Sequence, residues 1–241
     1  MMSITTVLFD LDGTLLPMDA DLFAKHYFKG LCAKMAPYGY APDALVNAIW
    51  AGTKAMVTND GSCTCETAFW DKFASILGED VREREPDFAD YYANEFQAVQ
   101  KACGYNPEAA RLVSDLKLAG YRVVLATNPL FPPIATQSRA RWAGLEPNTF
   151  ELVTTYDNSR YCKPNPAYYK EILDKIGVSA EECIMVGNDV KEDMVAASKL
   201  GIQTFLLTDW LLNKDQLDTS AYPQGGFAKL RAYLELDQKE V

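Results

Sequence analysis

The sequence predicts an α/β fold: a parallel β-sheet covered by helices on both faces, with an α-helical segment inserted after the first strand. Three observations lead there. Short β-branched and aromatic runs stop abruptly at polar or glycine-containing turns, helix-like stretches separate those runs, and the region from Leu16 to Gly104 carries helical periodicity without a comparable strand run. The 241 residues are 49% hydrophobic and 23% charged. That composition excludes disorder and fibrous structure and suits one large domain or a domain with a substantial insert.

The first predicted strand is Ile4-Thr5-Thr6-Val7-Leu8-Phe9, which runs into Asp10-Leu11-Asp12-Gly13-Thr14. Four helical stripes follow: Phe23, Tyr27, Leu31 and Met35; Leu45 and Ile49; Phe69, Phe73, Ile76 and Leu77; and Phe88, Tyr92, Phe96 and Val99. They predict a small bundle over the carboxyl end of the first strand, where ligands sit in open α/β sheets and where an insert can act as a lid. Its hinges are expected near Leu16-Pro17 and Gly104-Tyr105, giving a core of residues 1–16 and 105–241 and an inserted domain of residues 17–104.

Beyond the insert, further strands are predicted at Tyr121–Ala126, Cys183–Val186 and Gln203–Leu207, with a weaker one at Glu151–Thr155. Helices are expected at Pro107–Ala119, Pro133–Ala143, Pro166–Ile176 and Val190–Leu200, each opened by a proline or closed near a glycine.

With 33 acidic against 23 basic residues the net charge is −10, a repulsive field for any phosphate backbone, so no nucleic-acid partner is expected. No apolar run approaches the roughly 18 residues that span a bilayer, and no basic region leads into an apolar one at the start. No membrane partner and a cytoplasmic location are therefore expected, and the oligomeric state is open. The six cysteines are scattered and should be reduced thiols. Cys63-Thr64-Cys65 lacks the companion ligands zinc needs, because His26 is the single histidine.

The strand ends deliver complementary chemistry. Asp10 and Asp12, two residues apart, can approach one reacting centre and supply a nucleophile and a proton-transfer group, provided a cation offsets their repulsion. Asn188, Asp189 and Asp193 arrive at another strand end; carboxyl oxygens without Cys or His suit Mg²⁺. Thr127 and Asn128 end a third strand, and Lys163 precedes a proline-flanked helix; together they form an anion clamp. The combination points to phosphoryl chemistry on a magnesium site.

Asp10-Leu11-Asp12-Gly13-Thr14, Thr127-Asn128, Lys163-Pro164 and Gly187-Asn188-Asp189-Val190-Lys191-Glu192-Asp193 resemble, in order, the motifs of the haloacid-dehalogenase-like (HAD) hydrolase superfamily. The resemblance implies a Rossmann-like core with a helical cap placed after strand one. It implies that Asp10 accepts the phosphoryl group as an aspartyl-phosphate, and that Asp12 protonates the leaving alkoxide and then activates water while its backbone carbonyl helps hold the metal. Thr127 and the backbone of Asn128 would bind phosphoryl oxygens, Lys163 would neutralise charge, and Asp189 would complete the Mg²⁺ site with Asp10. Asn188 departs from the Asp found there in many members, which moves the metal role towards Asp189. Asp193 stands between a metal ligand, direct or through water, and a group that orients Lys163, with the second favoured.

The activity expected is a Mg²⁺-dependent phosphatase acting on a small phosphorylated metabolite. Asp12 argues against dehalogenation, because a halide leaves without a proton. A phosphonatase would need a Schiff-base lysine in the cap, and nothing marks Lys25, Lys29, Lys34 or Lys54 as one. A sugar-phosphate mutase resembling β-phosphoglucomutase is the nearest rival, and a catalytically silent binding module is the alternative from another class. Lys25, His26 and Lys29 are expected on a wet helix face, and Trp50, Trp70, Tyr91 and Tyr92 in bundle packing. Arg160 could cover a loop or reach the leaving group.

Overall fold

The computed structural model describes residues 4–236. Its centre is a parallel sheet built from β1 (Thr6–Phe9), β2 (Arg122–Leu125), β3 (Leu152–Val153), β4 (Cys183–Gly187), β5 (Gln203–Leu207) and β6 (Gln224–Gly225), in the order β3-β2-β1-β4-β5-β6. The middle strands are apolar apart from Thr6 of β1 because both faces are covered: Val7 lies opposite Val123 on one side and Ile184 on the other, and every residue of β1 and β4 is buried. The chain grows outward from β1 through β2 to β3, then returns to β4 on the other side of β1. That reversal opens a crevice at the carboxyl ends of β1 and β4. The edge strand β6 was not anticipated, since two residues, Gln224 and Gly225, carry no apolar run to announce it.

The inserted segment holds α1 (Ala20–Met35), α2 (Pro42–Val57), α3 (Cys65–Leu77) and α4 (Glu85–Ala93), followed by a 3₁₀ run over Glu95–Ala102. Asp19 caps α1 by accepting the Leu22 N–H at 2.9 Å, and Pro42 opens α2 where its missing donor costs nothing. The stripe expected from Phe88 to Val99 as one helix is split at Asn94, whose amide donates to the Asp90 carboxylate at 2.7 Å and turns the backbone to φ −115°, ψ −80°. A side chain that bonds its own helix's preceding turn competes with continuation. Both pieces still bury the stripe at Phe88, Phe96 and Val99. Ile76 is exposed, because α3 turns Trp70, Phe73 and Ala74 inward and leaves Ile76 on the flank. At the crossing of α2 and α3 any Cβ on Gly52 would stand 2.6 Å from the Phe69 ring, so glycine is what lets these helices close.

The remaining helices are α5 (Pro107–Leu118), α6 (Pro133–Trp142), α7 (Pro166–Ile176), the single turn α8 (Ala196–Ser198) and α9 (Phe227–Tyr233). The expected helix from Val190 to Leu200 begins instead as a wide π turn over Val190–Val195 before α8. The two chain crossings between insert and sheet lie side by side: Met18 bridges Cys103, and the Gly104 N–H donates to the Pro17 carbonyl at 2.7 Å.

Insert and sheet domain share one apolar core. Phe131, in the loop after β2, meets Phe23 and Tyr27 of α1 edge-on at 6.2 and 5.5 Å between ring centroids. On the far side, Cys65 N donates to the Ser159 carbonyl and Glu66 N to that of Tyr156, both at 2.8 Å. Arg160 belongs to this seam: its guanidinium donates to the Gly61 carbonyl at 3.0 Å, so it covers a loop. The six cysteines are free thiols, with the Cys65 and Cys162 sulfurs 3.6 Å apart across the same seam. Among the described residues, no helix is long and apolar enough to cross a membrane.

Candidate active site

β1 delivers Asp10 to the crevice. The Asp10 N–H donates to the Val186 carbonyl at 2.9 Å and Ala126 N to that of Phe9 at 2.7 Å, so the ends of β1, β2 and β4 are stitched together around it. The chain then turns tightly, with Gly13 at φ +83°, a conformation a side chain resists; a Cβ there would also strike the Asn188 amide at 2.3 Å. Leu11, Leu15 and Leu16 plug the turn into the core, which leaves Asp10, Asp12 and Thr14 facing the crevice.

A buried chain of polar contacts holds Asp10 in one orientation. The Lys163 ammonium donates to Asp10 Oδ1 at 2.8 Å and to Asp193 Oδ1 at 2.7 Å, while the Thr14 hydroxyl lies 3.1 Å from Asp10 Oδ2 and 3.0 Å from Asn188 Oδ1. Lys163 and Asp193 are each 1% exposed. Burial disfavours the ammonium, but Asp10 and Asp193 on either side more than offset it, so Lys163 holds its proton well above the ordinary lysine range. Burial pushes the Asp193 carboxyl up, Lys163 opposes that, and the nearby Asp10 charge adds to it.

The π turn accounts for Asp193. Asp189 caps it, accepting the Lys191 and Glu192 N–H groups at 2.9 Å, and Asp193 Oδ2 accepts the Asp189 N–H at 3.0 Å. Gly187 makes room: a Cβ there would overlap Asp193 Oδ2 at 2.1 Å. Both Asp193 oxygens are thus engaged by protein donors. A π turn at a functional crevice is a frequent pairing.

Thr127 lies buried at the end of β2, its carbonyl accepting the Thr154 hydroxyl at 2.6 Å and the Tyr168 hydroxyl at 2.9 Å. Those bonds anchor the strand end from α7, through Tyr168, and from the end of β3, through Thr154. Asn128 uses its side chain structurally, accepting Lys163 N at 3.2 Å and donating to Glu192 Oε2 at 3.0 Å. The structure therefore brings Asp10, Lys163, Asp193 and Asn128 into one bonded network, with Asp189 joined to it through its backbone.

Asp12 belongs to a separate pair that the sequence did not announce. Its Oδ2 is bonded to Arg139 of α6, whose guanidinium is buried and stacks 4.4 Å above the Phe131 ring. Asp12 Oδ1 is buried and has no partner among the described residues. Burial raises the Asp12 carboxyl above its ordinary range, with Arg139 pulling it back and Asp10 raising it further. Arg139 sits in Gln137-Ser138-Arg139-Ala140-Arg141, which reads as a solvated helix face. Thr14 and Glu192 also belong to the site, Thr14 through Asp10 and Glu192 by accepting from Asn128, and both stand inside the motifs at the strand ends.

Among the described residues, no group of three or more His, Cys, Asp or Glu side chains converges as a metal cluster. Asp10 and Asp189 nonetheless present carboxylate oxygens at the ends of β1 and β4. That chemistry fits a hard cation retaining several waters, such as Mg²⁺.

Over Asp12 lies a cavity of about 280 Å³ between insert and sheet domain. Phe23, Tyr27, Phe28, Ile49, Trp70 and Phe131 are among its walls, with Tyr92 and Trp50. Tyr91 is in the bundle core, fully buried, and Lys25, His26 and Lys29 are not part of the wall.

A phosphoglycolate phosphatase of Colwellia psychrerythraea is 37% identical over 93 residues, 39% of this chain and 39% of that protein, so the match spans well under half of that relative's length. A phosphoglycolate phosphatase of Aliivibrio fischeri is 27% identical over 209 residues, 85% of this chain and 84% of that protein. The crystal structure of a HAD phosphatase from Thermococcus onnurineus superposes with a TM-score of 0.58 at 17% identity, covering 96% of this chain and 98% of that one, a likeness of fold. The family model described as haloacid dehalogenase-like hydrolase matches residues 4–201, which takes in every strand end that carries the network. The chain belongs to the haloacid dehalogenase-like hydrolase family.

Proposed function

We propose that the protein is a Mg²⁺-dependent phosphatase that hydrolyses a small phosphorylated metabolite through an aspartyl-phosphate on Asp10. The observation that carries this reading is the fixing of Asp10 at the switch point of the sheet, with buried Lys163 on one oxygen and Thr14 on the other. A carboxylate so held is pre-aligned for attack and keeps its charge compensated without losing its lone pairs. The free thiols suit a reducing cytoplasm.

In this reading Asp12 gives its proton to the leaving oxygen, and its burial-raised carboxyl favours that role. The departure of the alcohol leaves Asp12 as the base for the water that splits the acyl phosphate. Arg139 holds Asp12 in place through both steps, and Thr127 with the backbone of Asn128 contacts the phosphoryl oxygens. Asp193 orients Lys163 and stands outside the metal set. Asp10, Asp189 and the Asp12 carbonyl would hold Mg²⁺, which when bound offsets phosphoryl charge and orients the oxygens. The helical segment, as a cap of residues 17–104, would exclude water during the first step.

The test is phosphate release from p-nitrophenyl phosphate and a panel of small phosphorylated metabolites, with Mg²⁺ or with chelator, for wild type and Asp10→Asn. Release that requires Mg²⁺ and vanishes in Asp10→Asn is expected. Equal release by Asp10→Asn, or none from any ester by the wild type, would end the proposal.

A further inference from the structure

We propose that the cavity above Asp12 receives the leaving group, and that this group is apolar: an aryl or medium-chain alkyl alcohol, with no carboxylate or second phosphate. The inference rests on the phosphatase reading above and adds the substrate class.

The walls supply the argument. Aromatic and aliphatic side chains make most of the lining. The Tyr27 and Tyr92 hydroxyls bond at 2.8 Å, and the one cation on the wall, Arg139, is buried with Nη1 held by Asp12 and Nη2 3.4 Å from the Thr136 hydroxyl, while its Nε and Trp70 Nε1 have no partner among the described residues. The remaining charged lining residue, Glu85, is itself an anion. An anionic leaving group such as the glycolate of phosphoglycolate would lose its hydration among these aromatic walls and meet one cation, Arg139, whose guanidinium is already engaged by Asp12 and Thr136, so the desolvation is poorly repaid. An alkyl or aryl group would lose nothing polar and would gain in proportion to the apolar surface removed from water. Size agrees: a dry cavity of roughly 150 Å³ accepts one benzene ring, so about 280 Å³ has room for two small rings or a medium alkyl chain.

Asp12 joins the two halves of the site. It lines this cavity, and its unpartnered Oδ1 is the atom left to meet the scissile oxygen while Oδ2 stays on Arg139. A phosphate on Asp10 would therefore project its ester substituent past Asp12 and into the apolar walls. In the reaction the P–O bond to the alcohol breaks as the Asp10 carboxylate bonds to phosphorus, and the Asp12 proton goes to the departing oxygen. Water then returns the phosphoryl group as inorganic phosphate and restores both carboxyl groups.

The experiment measures kcat/KM with Mg²⁺ for ethyl, butyl, hexyl and octyl phosphate, whose leaving alcohols have nearly equal acidity, alongside 2-phosphoglycolate and p-nitrophenyl phosphate. The expected rise is about threefold or more per added methylene until the cavity is full, with phosphoglycolate no better than ethyl phosphate. Phe28→Lys, which sets a cation in the wall, should raise phosphoglycolate relative to hexyl phosphate by tenfold or more. Ala24→Phe, which fills the space, should lower the hexyl-to-ethyl ratio; a ratio cannot be moved by loss of folded protein alone. A flat or falling alkyl series with p-nitrophenyl phosphate hydrolysed would overturn this inference and leave the phosphatase reading standing. So would phosphoglycolate as the best ester. Release from none of the esters would remove both.

Discussion

Replacing Lys163 with Met removes the one cation lying between Asp10 and Asp193 while keeping most of the side chain's volume. The ammonium is bonded at 2.8 and 2.7 Å to carboxylates whose side chains are 10% and 1% exposed, so water cannot take its place without opening the crevice. Breaking a buried ion pair by deleting one partner costs about 3–5 kcal/mol, chiefly because a charge is left buried and uncompensated. For a chain of this size each kcal/mol lowers Tm by roughly 2–4 °C, which gives a fall of about 6–20 °C. The deficit should depend on pH in a stated direction. The Asp193 carboxyl is pushed up to about 7 by burial even with Lys163 opposing the shift, and without Lys163 it rises further. A carboxyl whose folded-state pKa exceeds its unfolded value binds more protons folded, so its contribution to stability falls as pH rises. Thermal unfolding of Lys163→Met in chelator should therefore show its largest deficit near pH ~8 and a smaller one near pH ~5.5. A fall in Tm under about 3 °C, or a deficit that grows on acidification, would refute the account of Lys163 as the charge that holds this network together.

Gly187→Ala places a methyl group where Asp193 Oδ2 now lies, 2.1 Å from the new carbon; Asp193 must swing away from Lys163, and phosphate release should fall at least tenfold with the fold kept, as circular dichroism would check. Arg139→Met deletes the charge that pulls the Asp12 carboxyl down, so its pKa rises further and the descending limb of the kcat/KM pH profile, where the general acid loses its proton, moves to higher pH; an unmoved limb would mean that Arg139 does not tune Asp12. Phe73→Ala, in the fully buried aromatic packing of α3, should cost about 3–5 kcal/mol by denaturant unfolding, and a loss below ~1 kcal/mol would mean the insert repacks freely.

The order of strands and helices was readable because it rests on local signals. A strand buried on both faces is nearly all apolar or β-branched, and its end changes abruptly to turn residues, as Phe9-Asp10 and Val186-Gly187 do. The motif residues lie at those ends, so position in the chain already placed Asp10, Thr127 and Asp189 at one edge of the sheet. Lys163 was legible through its prolines. Where a side chain overrides its own backbone, local reading failed: Asn94 divides the last helix of the insert, and Asp189 with Asp193 widens the expected helix after β4 into a π turn.

What the sequence by itself determined, then, is the α/β architecture, the helical insert after β1 and the residues brought to the strand ends, since each depends on neighbours within a few positions. Tertiary structure alone decided which of those residues pair. Arg139 reaches Asp12 across 127 positions, and Lys163 reaches Asp193 across 30. It also decided that apolar faces of α1, α2, α3 and α4 enclose a cavity as well as a core, because an amphipathic stripe records only that a face leaves water. Whether the space opposite that face is filled by another side chain or left open for a ligand depends on how the helices cross, and no local periodicity carries that information.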